Sequence, residues 1–226
     1  MTQDFFSDAK PIVNLRQVIE TELPKGSLDS TNTLWATSVC SDEVNQSLHQ
    51  LDKYFRAFGP FILGGISGIP FAGKTGFKAF ASHIPDNGGA VVIYGPHIGI
   101  TKDGELGKVN REGQDHTSSC CGSLVAGLNN VKSGNVLNVT HDDYQQGQVN
   151  KVIIENFDDI ENSDNDIIAT TNVAFKQIKR ELTDIISGSL ESLDGKPLLM
   201  IGGVIINTDW DQEDLFEVRD VSWFNK

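Results

Sequence analysis

The stretch GISGIPFAGKTG, residues Gly65 to Gly76, lies between two apolar segments and holds four glycines, a proline, a lysine and a threonine. Its last eight residues, Gly68-Ile-Pro-Phe-Ala-Gly73-Lys74-Thr75, satisfy the pattern G-x-x-x-x-G-K-T of a nucleotide-binding phosphate loop. A working phosphate loop needs consecutive backbone N–H groups aimed at phosphate. Here Pro70 removes one donor and Phe71 is bulky, and no apolar run ending in a magnesium-binding aspartate accompanies the loop. A phosphate-loop nucleotide hydrolase therefore stands third among the readings, and the segments on either side decide the fold.

Before the loop, Leu34-Trp-Ala-Thr-Ser-Val-Cys40 has strand character, and Ser41 and Asp42 offer helix-capping oxygens. Val44, Leu48, Leu51, Phe55 and Phe58 follow at spacings of 4, 3, 4 and 3, one apolar helical stripe. Phe61 to Ile66 reads as a second strand, and Phe77 to Ser82 as a short helix. Ala90-Val-Val-Ile-Tyr94 is a β-branched run suited to burial on both faces of a sheet. A helix is expected from Ser118 or Ser119 onward, with Cys120 and Cys121 in its first turn. Further on, Val152-Ile153-Ile154 reads as a strand, Asp158 to Asp166 as an acidic loop, Ile168 to Ile186 as a helix and Leu198 to Ile206 as a strand. The tail from Thr208 alternates and reads as an extended or partner-facing edge.

Strands alternating with helices predict an α/β fold with a mostly parallel central sheet flanked by helices. The expected organisation is a helical arm over residues 1–33 and a single domain over 34–226. Of the 226 residues, 38% are hydrophobic and 22% charged, and the net charge is −13. That charge argues against nucleic acid and anionic membrane surfaces as partners. No apolar run approaches the roughly 20 residues of a membrane span. The beginning MTQDFFSDAKP has no apolar core of a secretory signal, and three cysteines make no disulfide framework. These features predict a cytoplasmic protein.

Cys40, His97 and Cys121 are each expected at a strand end or a helix start, where open α/β sheets build their sites. A helix N-terminus lowers a thiol's pKa and favours the thiolate that zinc needs. Two thiolates and one imidazole leave the fourth tetrahedral position open, a catalytic pattern. Asp42 could close that position or hold the bound water. Spacing alone leaves the bland alternative open, since free cysteines also serve as buried small hydrophobes and the chain has no C-x-x-C pair.

The stretches ATSVCSDEVN, GISGIPFAGKTGFKAFASHIPD, YGPHIGI and REGQ-x4-SCCG resemble the limiting-carbon-dioxide-inducible B/C family, which is similar to beta-carbonic anhydrases and includes theta-class members. The resemblance runs from about Leu34 to about Leu128. It implies a beta-carbonic anhydrase-like fold and zinc held by Cys40, His97 and Cys121, with Cys120 as the fallback if the registration slips by one. It implies reversible hydration of carbon dioxide to bicarbonate by a zinc-bound hydroxide, and a homodimer. Phe71 and Phe77 are expected to wall the pocket, and His83 is either a surface residue or a proton shuttle.

One position departs from the related pattern. Beta-carbonic anhydrases pair the aspartate of C-x-D-x-R with its arginine, but Cys40-Ser-Asp-Glu-Val44 ends in valine. Arg111, in the REGQ stretch, is the candidate to pair with Asp42 from elsewhere, against the alternative of a surface ion pair with Glu112 or another acid. Without such a partner Asp42 could bind the metal, so the second reading is a catalytically silent relative that binds inorganic carbon or a partner protein.

Overall fold

The computed structural model describes residues 5–55, 59–135 and 139–225. Four strands carry the centre of its main sheet: β2 (Thr33–Ser38), β4 (Gly89–Tyr94), β8 (Leu198–Asn207) and β9 (Leu215–Phe224). Short strands complete it: β1 (Lys10–Pro11) beyond β9, β3 (Phe61–Ile62) beyond β2, and β5 (His97–Gly99) alongside β8. The spatial order is β1-β9-β8-β4-β2-β3. The pairs β3/β2, β2/β4, β4/β8 and β5/β8 are parallel, while β9 runs antiparallel to both β8 and β1. A separate hairpin joins β6 (Lys108–Asn110) to β7 (Thr117–Ser119).

Strands β2, β4 and β8 are buried along their whole length, as strands covered on both faces are. Each sheet face is covered. On one, helices α2 (Gly73–Ser82) and α6 (Asp166–Ser187) set Phe77, Phe80, Ile178, Leu182 and Ile186 against Leu34, Val92 and Met200. On the other, α1 (Leu15–Glu22) and a 3-10 helix, Glu43–Lys53, set Leu15, Ile19, Leu48 and Leu51 against Trp35, Val91, Ile93 and Leu199. Residues 10–23 thus join the sheet through β1 and its core through α1. The fold is α/β with a mostly parallel sheet between helical layers. No helix among the described residues is long and apolar enough to cross a membrane.

Several local expectations are corrected. Val152, Ile153 and Ile154 belong to helix α4 (Tyr144–Glu155), following α3 (Gly122–Lys132). The burial of Val149, Val152 and Ile153 with Ile154 exposed is helical, and three apolar residues in a row could not reveal it. The acidic segment after Asn156 holds helix α5 (Phe157–Glu161), anchored by the fully buried Ile160. The stripe after Asp42 winds as a 3-10 helix, with Leu48, Leu51 and Phe55 buried as expected; Phe58 lies outside the described residues. The strand expected over Phe61 to Ile66 is only Phe61–Ile62.

Strand β8 is longer than β4, and the chain exploits the surplus. Its first half pairs with β4 and its second half with β5. Between them the chain steps through Gly95 and Pro96. Gly95 has φ +148°, and a Cβ there would lie 1.8 Å from the Gly203 carbonyl oxygen, so only glycine fits this crossing. The step delivers His97 into register with Ile205.

A second close approach fixes the sheet behind this step. Tyr94, Gly202 and Asp220 stand in one cross-strand row. Gly202 leaves room for the Tyr94 ring, whose hydroxyl donates to Asp220 at 2.7 Å. Asp220 also accepts from Lys179 Nζ at 2.5 Å and Ser222 Oγ at 2.9 Å. Burial works against the charge of Asp220, yet these donors, Lys179 foremost, hold its pKa below the usual carboxylate range. A depressed carboxylate stabilises the fold above its unfolded pKa, near 4, and that stabilisation is lost as pH falls through the folded value. Asp220→Asn is expected to lower stability by about 1–3 kcal/mol at neutral pH. In urea titrations across pH 7 to 2, the gap between wild type and variant should narrow toward the acid end.

Candidate metal centre

Cys40 follows the end of β2, and Asp42 caps the 3-10 helix, accepting from Val44 N at 3.4 Å. His97 opens β5, and Cys121 is the N-cap of α3. The helix begins at Gly122, one residue beyond the thiols. Ser118 and Ser119 belong to β7, which corrects the expectation that they cap the helix and that the thiols occupy its first turn. The carboxyl ends of β2 and β4 and the start of α3 thus converge on one point. There the ligand atoms of Cys40, His97 and Cys121 lie within 4.8 Å of one another, with the two sulfurs 3.9 Å apart.

The three side chains are buried, His97 completely. Its Nδ1 meets Asn207 Oδ1 at 2.7 Å, while its Nε2, also buried, has no hydrogen-bond partner. A fully buried nitrogen without a partner is costly unless something else takes its lone pair. A soft cation does so: paired thiols with one imidazole are a donor set suited to zinc. The electrostatics agree. The Cys121 pKa is drawn well below the thiol value, first by a hydrogen bond from Cys40 and, against burial, by His97 and the Leu124 amide at the helix start. Cys40, as the donor of that pair and by burial, is pushed up. Burial works against a charged His97, but the Cys121 thiolate raises its pKa well above the ordinary value.

A second grouping, Asp42, His97 and Cys120, is also compact. Its Cys120 sulfur sits 3.4 Å from His97 Nδ1, the nitrogen that faces Asn207. Burial raises the Cys120 pKa, which keeps it a thiol.

Arg111 follows β6 and reaches Asp42 from across the pocket, with its Nη2 at 3.2 Å from both carboxylate oxygens. The rest of its fork is occupied. Nε donates to Glu43 at 2.7 Å, and Nη1 donates to Ser118 Oγ and to the Ser119 carbonyl. Only about 15% of each side chain in the Asp42–Arg111 pair is exposed. Asp42 Oδ2 stands 3.9 Å from His97 Nε2. Burial pushes the Asp42 pKa up, but a hydrogen bond with Glu43 and the charges of His97 and Arg111 hold it below the usual carboxylate range.

Sequence reasoning missed several supports. Ser67, inside the glycine-rich stretch, donates its amide to Cys40 Sγ at 3.1 Å and sets its hydroxyl 2.8 Å from Ser123 Oγ. Asn45 Nδ2 binds the Cys40 carbonyl at 3.2 Å. These are isolated polar residues with no motif to mark them. Asn207 carried a usable signal, as a polar residue at the carboxyl end of a buried strand.

The expected aromatic wall is corrected. Phe77 lies in the sheet core with Phe80, and Phe71 is 59% exposed and faces Tyr144. The pocket beside Cys40 and Asp42 is a cleft of about 370 Å³ whose apolar lining includes Trp35, Val39, Leu48, Pro60 and Ile62. His83 is exposed, with its ring beside Phe61. The phosphate-loop likeness fails on hydrogen bonding: the amides of Gly68, Ile69, Phe71 and Ala72 already donate to Gly65, Ile66 and Leu63 carbonyls. Pro70 has no amide to offer, so of the motif only the first-turn amides of α2 remain for a phosphate, without the preceding loop amides that complete such a cradle.

Residues 9–225 match the family described as limiting CO2-inducible proteins B/C beta carbonic anhydrases. Among solved structures, the chain is similar to PtLCIB4, a homolog of the limiting CO2-inducible protein LCIB, at 31% identity and a TM-score of 0.90 over 98% of this chain and 93% of that one. A histidine-to-alanine mutant of PtLCIB4 gives the same identity and TM-score, over 98% and 91% of the two chains. LCIB itself is similar in fold at 23% identity and a TM-score of 0.74, over 97% and 92%. No curated protein matches the chain in sequence.

Because the amides ahead of Gly73 are spent or, at Pro70, missing, ATP at millimolar concentration should give no heat in calorimetry with the wild type, and Lys74→Ala should leave metal content unchanged. ATP binding abolished by Lys74→Ala would restore the nucleotide-hydrolase reading.

Proposed function

The chain belongs to the limiting CO2-inducible protein B/C family, and from that premise we propose that it is a zinc carbonic anhydrase catalysing the reversible hydration of carbon dioxide to bicarbonate. Cys40, His97 and Cys121 would hold the metal. The observation that carries the reading is the Asp42–Arg111 pair beside this trio. When bound, zinc supplies a water acidified to a pKa of about 7, hence a strong nucleophile at neutral pH.

The protein's own groups supply the rest. Asp42 stays ionised and keeps an acceptor oxygen turned into the pocket, 3.9 Å from His97 Nε2. It can thereby orient a water's O–H and leave the oxygen lone pair directed toward carbon. Arg111 neutralises Asp42 and occupies its oxygens from the opposite side, which restrains the carboxylate from closing on the metal position. The apolar part of the cleft, which reaches Cys40 and Asp42 though not His97 or Cys121, suits carbon dioxide, a small molecule without strong hydrogen-bonding needs. Bicarbonate, once formed, is poorly matched to those walls and to the Asp42 charge, which favours release. A homodimer and a cytoplasmic, carbon-concentrating setting are carried over from the family resemblance.

The silent relative is the second reading, and Val44 favours it, since Arg111 divides its fork between Asp42 and Glu43. The test is elemental analysis and stopped-flow hydration on one sample. About one zinc per chain is expected, lost on replacing Cys40, His97 or Cys121 with alanine and retained in Cys120→Ala. Arg111→Ala should keep the zinc and lose at least tenfold in hydration rate. A fully zinc-loaded wild type without hydration activity would establish the silent relative instead.

A further inference from the structure

Asn207 is the last residue of β8 and is fully buried. Its side-chain amide has four polar neighbours, one of them the Cys120 thiol, whose Sγ lies 3.5 Å from Oδ1. Nδ2 donates to the Val44 carbonyl and to Asp214 Oδ2, each at 3.2 Å. Both are acceptors only, so the NH₂ group must face them and Oδ1 must face the other way. Asp214 cannot swing aside, because its other oxygen accepts from the Thr208 amide at 3.0 Å. Oδ1 therefore points at His97 Nδ1, 2.7 Å away. An acceptor at that distance requires a proton on Nδ1. With Nδ1 protonated, the lone pair of the neutral imidazole resides on Nε2, the buried atom that has no protein partner.

We propose that Asn207, backed by Asp214, is a positioning residue that fixes the tautomer and ring orientation of His97 and so presets its Nε2 as a metal ligand. The inference rests on the zinc reading above and adds the residues that make the histidine competent for it. Outer partners of this kind orient imidazole ligands, and their loss typically weakens metal binding 10–100-fold. The same amide also ties the Val44 carbonyl to β8. It thereby connects the histidine with the turn that carries Asp42, whose Oδ1 is capped by the Val44 amide. No motif marks this arrangement; it exists because β8 outruns β4 and runs alongside β5 to its last residue, Gly99.

The test uses zinc-loaded full-length protein, with zinc affinity from chelator competition and the His97 ring followed by ¹⁵N NMR. Wild type should show a slowly exchanging Nδ1–H and a metal-bound Nε2. Asn207→Leu, which removes the acceptor, should weaken zinc by 10–100-fold and lose the protected Nδ1–H. Asn207→Asp keeps the acceptor but sets a second carboxylate against Asp214, and should also weaken zinc. The exchanged pair, Asn207→Asp with Asp214→Asn, restores a donor opposite the carboxylate and should recover both the affinity and the Nδ1–H signal. Wild-type affinity and an intact Nδ1–H signal in Asn207→Leu would overturn the assignment. So would failure of the exchanged pair to outperform Asn207→Asp. A wild type that takes up no zinc would overturn the zinc reading and this inference together, an outcome distinct from a variant that simply matches wild type.

Discussion

Gly95 packs its α-carbon against the Gly203 carbonyl at a distance no side chain would permit. That contact lets the chain leave β4, step along β8 and resume parallel pairing as β5. Without the step, His97 would continue past the sheet edge instead of returning to lie beside Ile205 and within reach of Asn207. The sulfur ligands meet it there, since Cys40 follows the end of the adjoining strand β2 and Cys121 is the N-cap of α3. The site is thus a product of sheet geometry, with loops adding only the last few atoms.

Charge compensation shapes what sits around that point. A buried thiol pair and a buried imidazole would be expensive as isolated groups. Here Cys121 and His97 stabilise each other's charged forms while Cys40 stays the thiol that donates to Cys121, and Ser67 and Leu124 supply amide donors to the sulfurs. Asp42 belongs to the same set but is partnered from outside it, by Arg111. The related C-x-D-x-R pattern meets the same electrostatic need with a residue two positions away. This chain meets it with one 69 positions away, and leaves the local position to Val44, whose carbonyl serves Asn207 instead.

Much of this was legible in the sequence where periodicity was strong. The runs read as strands, Leu34–Cys40, Ala90–Tyr94 and Leu198–Ile206, fall on β2, β4 and β8, and the helix read over Ile168–Ile186 falls within α6. Cys40, His97 and Cys121 could be put at element ends, and the structure brings them together. Three kinds of feature were hidden. Apolar triplets such as Val152–Ile154 do not distinguish a strand from one face of a helix. The G-x-x-x-x-G-K-T match carried no information about where its amides donate. And Ser67 and Asn45 act as isolated polar side chains, which leave no periodic trace.

The arginine that serves Asp42 rides on the β6–β7 hairpin, a two-stranded ribbon outside the main sheet. Two-stranded ribbons are marginal alone, and this one is fastened at Gly107, which bonds Gly99 and Cys120, and at Asn110, which bonds Asp209. The ligands and the carboxylate's counterion therefore sit on units of different rigidity. Heritable change in the ribbon can retune or abolish the Asp42 partnership while the sulfur and imidazole atoms stay where they are. A lineage built on this scaffold can separate the capacity to hold an ion from the capacity to use it, one substitution at a time.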